Sequence, residues 1–137
     1  MNQETNIRNR ARAWAQDGLE GLIAGGAVLD VTLSEGLLIG LLKQGVRTFF
    51  AIFGHGSTDL GEILRIYTEE GVTTVVNCRN EVEMAHAATA HTWVYGQTCA
   101  VVTSIGPGGL QAMAGSLAAA SNGIGVYHVY GLSLIHI

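Results

Sequence analysis

The sequence predicts an alternating α/β fold: a parallel sheet with helices on both faces. Three observations predict it. β-branched or aromatic runs recur at Thr48–Phe53, Val72–Val76, Thr98–Thr103 and Ile124–Tyr130. Helical patterns of crossover length, Ser57–Glu70, Glu81–Tyr95 and Pro107–Ala120, separate those runs, and Leu33–Lys43 precedes the first. Strands alternating with such helices make right-handed βαβ units. Start and stop residues fall where these elements need them.

The elements follow in order. Asn6–Ile23 is amphipathic enough for a helix and Gly25-Gly26 breaks it, so residues 1–31 read as a peripheral N-terminal helix and linker. Thr32 with Glu35 has the chemistry of a capping box opening Leu33–Lys43, and Asn80 with Glu83 has the same chemistry before Glu81–Tyr95. Gly45 and Gly71 stand at helix C-termini, each ahead of a strand. Pro107 falls in the first turn of its helix, where a missing N–H costs nothing. The α/β domain spans 32–131. The last six residues, Leu132–Ile137, follow a strand with no turn chemistry and back-translate to one frame of a transposase adapter, so a non-native tail at 132–137 is expected, with the sheet incomplete at its C-terminal end.

The chain has 137 residues, a length suited to one domain, with 48% hydrophobic and 13% charged residues. The charged share is half the usual value of about 25%. All 7 Lys and Arg and all 11 Asp and Glu lie between Glu4 and Glu83, and no formal charge follows from Met84 onward. An exposed domain carries charge along its length, so the second half is expected to be covered by another domain or subunit. Polar residues such as His86, Gln97, Ser104, Gln111 and Asn122 interrupt every run there before it reaches membrane-spanning length. A net charge of −4 with scattered basic residues argues against nucleic acid. The N-terminus lacks the apolar stretch of a secretory signal, and Cys78 and Cys99 have no metal-site or CxxC spacing. Two thiols on apparent strands suggest packing residues and a cytoplasmic setting.

Three loops could carry chemistry. Asn80-Glu81 follows the second strand; its simplest role is a carboxylate at the positive end of a helix, and its sharper one a carboxyl at the carboxyl edge of a parallel sheet, able to share a proton with a ligand nitrogen. Gly54-His55-Gly56 ends the first strand, either as a tight turn or as a loop that lets a ligand approach the backbone. Thr103–Gly109 opens a helix and offers free N–H groups, yet it is neither a P-loop nor a dinucleotide fingerprint. His86 and His91 are five residues apart and do not share a helix face as metal ligands would. Trp14, Trp93, Tyr95, Tyr127 and Tyr130 lack stacking-platform spacing and read as packing residues.

Together the motifs Ile52–Gly56, Arg79-Asn80-Glu81, Met84–Ala90 and Thr103–Gly108 resemble the N-terminal, pyrimidine-binding domain of thiamine-diphosphate-dependent enzymes across Leu33–Tyr130. Within that family the acetolactate synthase group is similar, and the extra Ile105 before Gly106-Pro107-Gly108 looks like the trihydroxycyclohexanedione hydrolases. The resemblance implies a flavodoxin-like fold and thiamine diphosphate as cofactor. It implies that Glu81 hydrogen-bonds N1′ of the aminopyrimidine, favouring the tautomer that removes the proton from thiazolium C2. Gly54, His55 and Gly56 fall on the loop near cofactor and substrate, and Ser104, Pro107 and Gln111 fall near the pyrimidine. Acetolactate synthases carry a proline after the position of His55, where this chain has Gly56. The family binds the diphosphate and Mg²⁺ through a GDG motif in a second domain, across an interface between subunits, and this sequence has no such motif. The expectation is a fragment of an enzyme acting on a C–C bond next to a carbonyl, oligomeric when complete and inactive as this chain alone. The alternatives are a natural short subunit of a two-chain decarboxylase and a non-enzymatic α/β interaction module.

Overall fold

In a computed structural model the described residues are 3–24 and 28–132; the predicted break at Gly25-Gly26 and residues 133–137 of the expected tail lie outside them. The elements are α1 (Gln3–Ile23), α2 (Leu33–Lys43), β1 (Thr48–Ile52), α3 (Thr58–Glu69), β2 (Thr74–Asn77), α4 (Glu81–Tyr95), β3 (Cys99–Thr103), α5 (Pro107–Ser121) and β4 (Val126–Tyr130). The strands form one parallel sheet in the order β2-β1-β3-β4. The α/β class read from the sequence is therefore the class of the fold.

Strand alternation divides the core between the two faces. Phe49, Ala51, Ala100 and Val102 pack with α1, α2 and α3, while Phe50, Cys99 and Val101 pack with Met84, Ala88 and Ala112 of α4 and α5. Opposite side-chain directions at successive strand residues produce this split. Helix stops are built as predicted: Val46 N–H reaches Leu41 C=O and Gly45 N–H reaches Leu42 C=O, and Val72 and Gly71 repeat the pattern on Tyr67 and Thr68. Gly45 and Gly71 take the positive φ that this Schellman closure needs.

The N-terminal segment departs from its predicted peripheral role. α1 bends at Gly18 and buries Ile7, Ala11, Trp14 and Leu22 in the larger core. Its charged face is paired as well. Arg8 bonds Glu69 and Glu70, Arg12 bonds Glu70, and Arg10 holds Glu35 through two hydrogen bonds of 2.8 and 2.6 Å. Glu35 is 0% exposed and also accepts from the Tyr67 hydroxyl at 3.1 Å. Burial, then the neighbouring carboxylate, pushes the Tyr67 phenol well above its ordinary range. Only half of the predicted Thr32 capping box forms: the Thr32 hydroxyl accepts from Glu35 N–H, but the Glu35 carboxylate is engaged by Arg10 and Tyr67. The box at Asn80 is likewise one-sided, with Asn80 Oδ1 accepting from the N–H groups of Val82 and Glu83.

Candidate functional site

The three candidate loops all lie at the carboxyl edge of the sheet. β1 connects outward to β2 on one side, whereas β3 connects to β4 on the other, so the strand order reverses between β1 and β3. In open parallel sheets this switch point is where a crevice opens for ligands.

Hydrogen bonds lock the first and third loops together there. The backbone carbonyl of His55 accepts from Ile105 N–H at 3.2 Å and from the Ser104 hydroxyl at 3.3 Å. Ser57, buried, closes its own turn against Gly54 through both backbone and hydroxyl. A Cβ at Gly54 would lie 2.6 Å from Ser104 Oγ, so only glycine fits without displacing that side chain. Gly56 has φ of +80°, and a Cβ there would lie 2.7 Å from the Ile105 side chain. Both demands penalise any other residue at this position.

The second loop enters from the side. Asn80 caps α4 and sets Glu81 as its first residue, half-buried. A Cβ built on Gly108 would meet Glu81 Oε1 at 3.2 Å, Thr103 Cβ at 3.7 Å and Ser104 Cβ at 3.8 Å. Glycine at 108 thus lets the Glu81 carboxyl close against the start of α5, beside the end of β3. The carboxyl makes no hydrogen bond or ion pair with another described residue. Gly115 brings the two helices this close, since a Cβ there would lie 2.7 Å from Ala85 Cβ and 2.8 Å from Val82 C=O.

The predicted site residues therefore divide. Gly54 and Gly56 contact the third loop, and Glu81 and Ser104 both lie beside Gly108. The side chains of His55 and Gln111 are exposed, and Pro107, also exposed, starts α5. His55 acts through its backbone carbonyl; the histidine ring makes none of these contacts. Thr103 and Gly108 fall in the third loop that the sequence marks. The closeness of Gly108 to Glu81 is not legible there, nor is that of the Tyr130 ring, 3.3 Å from the Cβ position of Gly109, because these two contacts join elements far apart in the chain.

Other expectations need correction. Trp93 and Tyr95, read as packing residues, are 67% and 68% exposed, and Tyr127 is exposed on β4, whereas Trp14 is buried. They stand on a half of the chain with few described elements to cover them. Cys99 is buried on β3, where desolvation pushes its thiol up. Cys78 follows β2, off the strand and half-buried. His86 is exposed, and His91 packs edge-on against Phe50 with ring centroids 5.7 Å apart. Among the described residues no helix is long and apolar enough to cross a membrane.

A parallel sheet with glycine loops and the Glu81 carboxyl at its carboxyl edge defines an α/β domain. The profile of the family described as "Thiamine pyrophosphate enzyme, N-terminal TPP binding domain" matches residues 31–134. Pyruvate decarboxylase isozyme 1 of Saccharomyces cerevisiae is 31% identical over 106 residues, which are 77% of this chain and 18% of that protein. The pyruvate decarboxylases of Candida glabrata and Kluyveromyces marxianus match with the same identity and coverage. The chain belongs to the thiamine pyrophosphate enzyme family, as its N-terminal cofactor-binding domain. It spans about a fifth of the length of these curated relatives.

Proposed function

We propose that the chain supplies the pyrimidine side of a thiamine-diphosphate-dependent enzyme acting on a C–C bond next to a carbonyl, with Glu81 as the carboxyl that engages the aminopyrimidine. The observation that carries this is the Glu81 carboxyl, which no described residue pairs, lying beside Gly108 at the carboxyl edge of the sheet. A heterocycle with a ring nitrogen would give that carboxyl the hydrogen-bond partner it lacks. When bound, thiamine diphosphate supplies an electron sink for carbanion chemistry. Glu81 then holds or shares one proton at its carboxyl oxygen. Gly54, Gly56 and Ser104 shape the wall, Pro107 fixes the start of α5, and His55 and Gln111 stand at the rim toward substrate.

Among reactions of this class, the pyruvate decarboxylase relatives favour cleavage of a 2-oxo acid. The extra Ile105 before Gly106-Pro107-Gly108, similar to the trihydroxycyclohexanedione hydrolases, supports cyclic-diketone hydrolysis as a second reading. Acetolactate synthase-like carboligation belongs to the same bond class. The diphosphate and Mg²⁺ are assigned to a second domain or subunit that completes the site in an oligomer. Trp93, Tyr95, Leu110, Met113 and Leu117, all exposed on an uncharged surface, support such a cover. We assign the protein to the cytoplasm, where its two free thiols stay reduced.

In the complete enzyme, Glu81→Gln should lower kcat by about 10²–10⁴-fold, the usual worth of a positioned proton-transfer group, with the fold intact by circular dichroism. Turnover near that of the parent would contradict the assignment. The 137-residue chain alone should show no turnover of 2-oxo acids; measurable catalysis by it would refute the need for a second domain.

A further inference from the structure

α1 precedes the segment that matches the family, yet it reaches the most deeply buried charge in the domain. Arg10 puts two hydrogen bonds on Glu35, which sits in the first turn of α2. Removing that guanidinium would leave a fully buried carboxylate with only the Tyr67 hydroxyl and force the turn to rearrange or admit water. The same turn has a second neighbour. Leu33, Ser34 and Leu37 face Gly56, Ser57 and Thr58 across a cleft of about 220 Å³. The first helix therefore holds one wall of a cleft whose other wall is the loop carrying His55. On either side of Arg10, Arg8 and Arg12 tie α1 to Glu69 and Glu70 at the C-terminal end of α3, the helix that this loop opens.

We propose that α1 is a charge-latched strap whose seating through Arg10 and Glu35 sets the order of the Gly54–Thr58 loop. Arg10 is a positioning residue, acting through Glu35 and the first turn of α2. The latch concerns the loop assigned to the cofactor, but it holds whether or not the cofactor binds there, because loop order is measured without ligand.

Amide hydrogen exchange on the full chain separates the possibilities. In Arg10→Ala, amides of α1, of Leu33–Leu37 and of Gly54–Thr58 should exchange at least tenfold faster, while those of β3 (Cys99–Thr103) keep their rates. Arg10→Lys keeps the charge but loses the paired geometry. It should loosen the same three segments to a smaller extent, which preserves the test if the alanine variant does not fold. Faster exchange confined to α1 would overturn the proposal, since the strap would then not reach the loop. Equal acceleration in β3 would overturn it too, because the effect would be a general loss of stability.

Discussion

The two faces of the sheet are built on different principles. On one, α1, α2 and α3 close a core of nineteen buried residues and pair their charges across α1 and α3; on the other, α4 and α5 share six among the described residues. The second face has no charge after Glu83 and exposes Trp93, Leu110 and Leu117. The first face also exposes Ile23, Leu33 and Leu37, but much of its charge is paired across helices. The second exposes large apolar side chains with no charge after Glu83, the surface proposed above for a partner, and the candidate carboxyl stands at its start.

The largest effect that would break this contrast is expected at Gly115. Gly115→Val forces a branched side chain into Ala85 and Val82, prying α4 from α5, and should cost about 3 kcal/mol in denaturant unfolding. It should also move Glu81 away from Gly108. Gly56→Ala comes next: its left-handed backbone alone costs about 1–2 kcal/mol, read from the same unfolding curves.

Acid should distinguish the faces without any mutation. Hydrogen bonds from arginines hold the Glu62, Glu69 and Glu70 carboxyls below their ordinary value of 4.5. A carboxyl depressed in the folded state stabilises it fully above the unfolded value, and that contribution is lost as pH falls through the folded one. Below pH 4.5 the α1–α3 seam should therefore loosen first, seen as faster amide exchange in α1, while the uncharged pairing of α4 with α5 is unmoved. The smallest effect on the isolated chain is expected at Leu117→Lys. Its side chain is 70% exposed, so unfolding should change by no more than about 0.5 kcal/mol. The same substitution should weaken association of the complete protein, read by sedimentation, if this face is the interface proposed for it.

Much of this was legible because it is local. The starts of α2 and α4 follow from Thr32 and Asn80 as caps and the ends of α2 and α3 from Gly45 and Gly71; three strands lie within the predicted runs, and β2 runs one residue past its own, to Asn77. The three site loops were found because strand ends and helix starts carry their own signals. What escaped notice is tertiary. Glu35 resembles the second half of a capping box, and its true partner stands 25 residues upstream on a helix that looked peripheral. Gly108 meets Glu81 only because α5 packs closely on α4, which Gly115 permits. Trp93 and Tyr95 have the composition of core residues, and composition does not say whether the core that takes them is in the same domain.

The most direct measurement is deuterium exchange at thiazolium C2 of thiamine diphosphate bound to the complete enzyme, comparing the parent with Glu81→Gln at equal cofactor occupancy. A fall of about 10²-fold or more is predicted if the Glu81 carboxyl acts on the aminopyrimidine. Equal exchange rates in the two proteins would contradict it.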